Sequence, residues 1–297
     1  MRASPELPRF TAGRMAYPLA YTQAGTVVPP QAGPHATPSH AGPRPAGPLL
    51  LIHGSLCDYR YWRWQLPALG RHHHVVAPSL RGYWPRPFMA EDPSFNVAQH
   101  ADDLAELLRH EIGEGPAHVV GHSRGAHVAL ELACRAPELV CSLVLADPGV
   151  RMGDAQPPST YLLDAVEKLR AGQPDEAMAA FIDAVSGKET WRSMVGWFKD
   201  MVRDNAYTLL SQLNEAGARF DVARAAGLTC PVLLLGGQNS PARYRLAMDA
   251  LQPHLAHAQR DTIPMASHGM NLGNPRAFNA RVLRFLDEIS ATSCSPA

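Results

Sequence analysis

The stretch AHVVGHSRGA, Ala117 to Ala126, decides the fold of this 297-residue chain. Ala117 to Gly121 is a short apolar run bounded by a glycine, the pattern of a buried strand. Arg124 to Arg135 reads as a helix. Between them lies Gly121-His122-Ser123-Arg124-Gly125, a G-x-S-x-G in the strand-to-helix setting that gives this motif its meaning. So tight a turn puts Ser123 in a strained backbone conformation. Flanking glycines leave room for the crossing chain, and Ala126 continues the small-residue requirement. Ser123 is thereby raised at the carboxyl edge of a sheet, at a helix N-terminus whose amides favour developing negative charge.

Working outward, short apolar runs alternate with amphipathic ones, the rhythm of parallel strands joined by helical crossovers. Strands are expected at Leu49 to His53, His74 to Pro78, Val140 to Ala146, Pro231 to Leu235 and Ala258 to Ile263. Helices are expected at Tyr61 to Leu69, Val97 to Ile112, Ala242 to Leu255 and Pro275 to Ile289. From about Val150 to Arg224 helical patterns follow one another without a strand (Tyr161 to Arg170, Pro174 to Val185, Trp191 to Ala216), which reads as an inserted helical cap. The predicted fold class is α/β, a mostly parallel sheet flanked by helices. Its core is residues 49–149 and 225–290, its cap 150–224, and 291–297 form a disordered tail. Residues 1–48 hold an early hairpin (Met15 to Val28) and an insertion, Pro29 to Pro48, rich in proline and glycine and unable to bury enough surface to fold alone.

Composition narrows the function classes. Lys and Arg total 27 and Asp and Glu total 27, and a zero balance argues against nucleic-acid and membrane-surface partners. No apolar run approaches the roughly 20 residues of a membrane span, and the N-terminus shows no apolar secretion signal. Five scattered cysteines without C-x-x-C spacing favour reduced thiols. A cytoplasmic protein is expected, without metal or other cofactor. Adjacent histidines on a strand alternate faces, so His72, His73 and His74 cannot converge on one ion.

A serine nucleophile needs a base oriented by a third group. Among 14 histidines, His268 stands on a short polar loop, Pro264 to Gly269, after the last strand, opening at the same sheet edge as Ser123. His122 and His127 are tied to the elbow and read as packing or hydrogen-bonding residues. Asp147 ends the strand one place over from Ser123 and emerges on the same edge. Asp154 and Asp261 are poorer choices, because nothing directs them toward His268.

With LLIHGS (Leu50 to Ser55), VVGHSRG (Val119 to Gly125) and ASHG (Ala266 to Gly269) in hand, the sequence resembles the α/β-hydrolase superfamily from about Met15 to Ile289, in its esterase, lactonase and carbon-carbon hydrolase group. That resemblance implies the α/β-hydrolase fold, and the order Ser123, Asp147, His268 matches it. Many relatives carry the acid after the penultimate strand; here Gly237-Gln238-Asn239-Ser240-Pro241 has no carboxylate, and Ser240 stands where it would be expected. Asp147 fits the variant with the acid one strand earlier. Ser79 is a second departure, at a structural position where relatives have aspartate. The resemblance also implies oxyanion-hole donors, the backbone amides of Ser55 and Arg124, with His53 stabilising their loop.

Aromatic residues near these loops suggest pocket walls. Tyr59, Trp62 and Trp84, Trp197 in the cap and Met270 beyond the histidine are the expected pocket residues. Met194, Trp197, Phe198 and Met201 fall at helical spacing, which also suits packing of the cap on the core. The expected activity is cofactor-independent hydrolysis of a small carboxylic ester or lactone through an acyl-enzyme. Carbon-carbon, thioester and peracid chemistry could use the same residues. A non-catalytic protein keeping the shell as a ligand pocket is the competing class, supported by the missing acid at Ser240. An epoxide hydrolase or dehalogenase is disfavoured, since those relatives carry aspartate at the position of Ser123.

Overall fold

Among the described residues eight strands form one sheet, and its order places Ser123 at the centre. The computed structural model describes residues 11–12, 19–25, 47–86, 92–113, 115–152, 159–215 and 217–293. In chain order the strands are β1 (Thr11–Ala12), β2 (Ala20–Ala24), β3 (Leu49–Ile52), β4 (Val75–Pro78), β5 (Ala117–His122), β6 (Val140–Ala146), β7 (Val232–Gly237) and β8 (Ala258–Ile263). They are arranged β1-β2-β4-β3-β5-β6-β7-β8. From β4 through β8 all neighbours are parallel, and β2 joins β4 antiparallel.

The central strands are buried along their length, and their side chains divide by the period of two between the sheet's faces. On β3, Leu49 and Leu51 face one core, and Leu50 and Ile52 the other. The second core packs under α2 (Val97–Glu106), α3 (Arg124–Arg135) and α9 (Ala242–Leu251). The first is closed by α1 (Leu66–Leu69), α11 (Pro275–Ser293) and the cap. The cap comprises α4 (Thr160–Arg170), α5 (Pro174–Ser186), α6 (Thr190–Ser193), α7 (Gly196–Asp204) and α8 (Thr208–Gln212), and a short α10 (Met270–Gly273) precedes α11. No helix among the described residues is long and apolar enough to cross a membrane.

Close approach of α3 to the sheet depends on two glycines of the motif. A Cβ at Gly125 would lie 2.3 Å from the His53 carbonyl oxygen, and one at Gly121 2.4 Å from the Gly125 oxygen. The helix therefore presses on β3 and β5 at backbone contact distance.

Several boundaries differ from expectation. The expected helix from Tyr61 to Leu69 is a 3-10 turn, Tyr59–Trp62, followed by α1. The expected helix Val97 to Ile112 changes to a π-turn at Leu107–Ile112. Trp191 to Ala216 is three helices, because Met194 and Val195 are extended before α7 and Asn205 ends it. α11 runs through Ser293, past Ile289 and into the expected tail; residues 294–297 lie outside the described set. β2 pairs with β1, upstream of the expected hairpin at Met15 to Val28, much of which is outside the described residues. So are the Pro29 to Pro48 insertion apart from Gly47 and Pro48, and Asp154.

The cap is fastened to the core through polar groups. Asp58 is fully buried, takes a two-pronged ion pair from Arg60, and accepts from Asn205 Nδ2 at 2.8 Å. Asn205 Oδ1 accepts the Trp84 amide at 2.8 Å, so one side chain at the end of α7 joins two core loops. The Arg60 guanidinium lies 3.8 Å over the Trp84 ring and also reaches Asp204.

Candidate active site

Ser123 ends the turn from β5 into α3 with φ 56° and ψ −122°, a conformation that L-residues rarely hold. Three backbone bonds fix it: its amide donates to the Ala146 oxygen at 2.9 Å, and its carbonyl accepts from Ala126 and Gly149 at 3.0 and 2.9 Å. Strand β6 and the loop after it thus hold the elbow in place.

His268 Nε2 lies 3.0 Å from Ser123 Oγ, and Nδ1 lies 3.1 Å from Asp147 Oδ2. The three residues, 121 and 145 positions apart along the chain in the two pairs with His268, meet in one hydrogen-bonded row. Asp147 is fully buried; burial pushes its carboxyl up to about 6, against the Ser240 hydroxyl, His122 and the Gly237 amide, which favour the ionised form. Ser240 Oγ donates to Asp147 Oδ2 at 2.5 Å, and the Gly237 amide to Oδ1 at 3.3 Å. Burial, with the Arg243 charge, pushes His268 down to about 3. At neutral pH the pair is therefore carboxylate and uncharged imidazole. A carboxylate only accepts, so Nδ1 carries the proton toward Asp147 and Nε2 is left free to accept from Ser123. Asp261 is engaged elsewhere, paired with Arg281 at 2.6 Å.

Two groups brace His268: Tyr244, which carries little sequence signal, and His122, expected as a packing or hydrogen-bonding residue. The Tyr244 ring is stacked on His268, centroids 4.0 Å apart and 8° from parallel. His122 Nε2 lies 2.7 Å from the His268 carbonyl oxygen, so it donates there. Burial pushes His122 down to about 3, keeping it a neutral donor. Nothing in local pattern marks Tyr244; its place on the first turn of α9, four residues after Ser240, is the only pointer.

Across from His268, Gly54 brings the loop after β3 against the elbow, a Cβ there meeting Ser123 Cβ at 3.0 Å. Ser55 and Arg124 both border the cavity beside Ser123, and Arg124 opens α3, where amides have no partner inside the helix. His53 supports this loop: Leu80 N–H donates to Nε2 at 3.0 Å, so Nδ1 holds the proton and donates to the Gly54 oxygen at 2.9 Å. Burial pushes His53 down to about 3, in keeping with that tautomer. Ser79 holds the next turn by accepting the Tyr59 amide at 3.3 Å.

The cavity in front of Ser123 has a volume of about 1010 Å³. Its apolar wall is largely cap: Leu162, Phe181, Ile182, Met194, Trp197 and Phe198. Of the expected pocket residues Trp197 is a wall, with the Arg63 guanidinium 4.0 Å over its ring. The other four are corrected. Trp62 and Met270 are fully buried in the core, Trp62 packing against Phe278, because the 3-10 turn and α10 aim them inward. Tyr59 and Trp84 pack on each other, 5.5 Å between centroids, beneath Arg60. Their neighbours Tyr61 and Trp64 line the cavity instead. Met201, at the same helical spacing as Trp197, is core. The three consecutive histidines diverge: His74 meets Gln23 at 3.0 Å, His73 lies edge-on to His118, and His72 is exposed.

The cap closes on this apparatus from two sides. Arg124 is buried and forms a two-pronged ion pair with Glu215, also giving Nη2 to His100 Nδ1 at 2.8 Å. On the other side the last carbonyls of α5 are taken by core donors: Ala184 by Arg243 at 2.8 Å, Val185 by the Tyr244 hydroxyl at 3.1 Å, and Ser186 by Ser267 at 2.8 Å. These orphan carbonyls would otherwise need water.

Comparison with known proteins places this geometry in a family. A lipase of Mycobacterium tuberculosis, LipV, is 30% identical over 193 residues, covering 54% of this chain and 69% of its own. Two solved structures share the fold. One is a thermophilic esterase from Thermogutta terrifontis (TM-score 0.72, 20% identity, 96% and 99% of the two chains); the other is the enol-lactonase from Burkholderia xenovorans (TM-score 0.71, 20% identity, 91% and 96%). Residues 49–281 match the model of the Alpha/beta hydrolase family, a span that runs from β3, through the Ser123 elbow, into α11. The chain belongs to the Alpha/beta hydrolase family.

Proposed function

We propose that the protein is a serine hydrolase of carboxylic esters or lactones, working through an acyl-enzyme. The observation that carries this reading is the unbroken row Ser123 Oγ, His268 imidazole, Asp147 carboxylate, facing a cavity of about 1010 Å³. His268 Nε2 takes the hydroxyl proton as Oγ attacks the carbonyl. The proton on Nδ1 stays shared with Asp147, which stabilises the imidazolium. Charge gathering on the former carbonyl oxygen meets the amides of Ser55 and Arg124, each worth on the order of 3 kcal/mol in the transition state. The imidazolium protonates the leaving alcohol, and the same ring then activates water against the acyl-enzyme.

The apolar cap wall suits an acyl or alcohol group with a sizeable hydrocarbon part. The bond from Ser240 to Asp147 weighs against an idle site: the serine expected to mark a missing acid instead supports the acid next door. A small acyl compound in the cytoplasm is the proposed partner. Substituting Ser123→Ala should abolish turnover of p-nitrophenyl butyrate and labelling by a fluorophosphonate probe while the thermal melt is kept. Residual activity above about one part in a thousand in a clean preparation overturns the proposal.

A further inference from the structure

Beside the catalytic cavity lies a second space, a surface groove of about 530 Å³ walled by Pro67, Ala68 and Pro275. Trp64 and Gly273 line both. We propose that the Trp64 indole is the partition between the two, and so the residue that sets the longest hydrocarbon chain the site accepts. For its chemistry this rests on the ester reading above; for its shape it does not.

The partition is built to stay put. The Trp64 carbonyl accepts from Asn279 Nδ2 at 3.1 Å. Gln65, the next residue, is fully buried and gives Nε2 to the Asn271 oxygen at 2.9 Å and to Asn279 Oδ1 at 3.0 Å, while its Oε1 accepts from Asn271 Nδ2 at 3.3 Å. These bonds tie the loop carrying the indole to α10 and α11, the helices that carry the opposite side of the neck. There the chain offers a glycine. A Cβ at Gly273 would meet only Ala266 Cβ and Cα, at 3.8 and 4.0 Å, ordinary contact distances. A large ring and a residue without a side chain thus both stand where the two spaces meet. Beyond them Pro67, Ala68 and Pro275 offer apolar surface that an alkyl chain would cover, between Arg71, Arg276, Asn274 and Asn279.

The test is chain-length selectivity. In Trp64→Ala the ratio of kcat/KM for p-nitrophenyl dodecanoate to that for the butyrate should rise at least tenfold, since each methylene moved from water onto an apolar wall is worth about fourfold. Trp64→Phe should fall between, and adding Gly273→Leu to Trp64→Ala should return the ratio toward the parent value by refilling the neck. Calorimetry in the Ser123→Ala background reads the same geometry without turnover: the affinity for dodecanoate relative to butyrate should rise at least tenfold when Trp64 is also alanine. Trp64 is only partly buried, and Trp64→Leu gives a second truncation should the alanine variant melt early. A ratio and a dodecanoate affinity both unchanged in a folded variant overturn the partition. Tighter dodecanoate binding in a protein that hydrolyses no ester supports the partition and sinks the ester reading.

Discussion

Removing the Ser240 hydroxyl should move the acid limb of the pH–rate profile upward. Its bond to Asp147 Oδ2, 2.5 Å long, is foremost among the influences that oppose burial and keep the carboxyl near 6. A hydrogen bond to a charged group is worth about 1.5 to 3 kcal/mol, and at about 1.4 kcal/mol per pH unit its loss corresponds to roughly 1 to 2 pH units. The mechanism needs Asp147 ionised, so activity is lost as pH falls through its pKa; raising that pKa brings the loss nearer to neutrality. Ser240→Ala should therefore be slowed about three- to twenty-five-fold at pH 6.5, yet approach the parent rate near pH 9. The assay is kcat/KM for p-nitrophenyl butyrate from pH 5 to 9, with Asp147→Asn as the floor, where loss of the triad acid costs about 10⁴ in rate. A uniform drop at every pH, with the limb unmoved, would refute the role given to Ser240. A rise below pH 7 would refute the sign.

Other expectations rest on burial. His53, His100, His122 and His268 are all pushed well below the usual histidine range, burial being the main cause in each. Unfolded, they take up protons near pH 6.5 that the folded state refuses, so stability present above 6.5 falls as pH drops below it, by about 1.4 kcal/mol per pH unit for each. Urea melts at pH 7.5 and 5.5 should differ by several kcal/mol, the raised Asp147 offsetting part, and equal midpoints would refute the neutral assignments. Gly125→Ala should cost about 3 kcal/mol or prevent folding, its Cβ colliding with the Ile52 and His53 oxygens. Gly196→Ala, where a Cβ meets nothing within 4 Å, should leave the melt unchanged or raised.

What could be read from the sequence followed from how many constraints fell on a residue. Strands β5, β6 and β8 and helix α3 have the expected ends to within a residue, since a buried strand and a tight elbow allow few residue types. Ser123, His268 and Asp147 were placed by topology: strand ends share an edge, and the structure hydrogen-bonds all three. Side-chain direction was not legible. Trp62 and Trp64 are two positions apart in one loop, and only the 3-10 turn sends Trp62 to Phe278 and leaves Trp64 at the cavity. The cap stretch from Trp191 kept helical spacing through Met201 although the backbone straightens before Gly196, because packing spacing survives a break that hydrogen bonds do not. Tyr244 and Glu215 were invisible for a different reason. Their partners, His268 and Arg124, are brought to them by tertiary contact alone.

The three carbonyls at the end of α5 tie the cap to the residues beside His268. Ser267 and Tyr244, which hold Ser186 and Val185, are respectively the chain neighbour of His268 and the ring beneath it. The end of α5 and the surroundings of the His268 ring are thus joined, and an outward swing of α5 would break the bonds to Ser267 and Tyr244 beside the imidazole. An engineer who transplants a different lid onto this sheet must supply new hydrogen-bond acceptors for Arg243, Tyr244 and Ser267, or rebuild the base loop along with it.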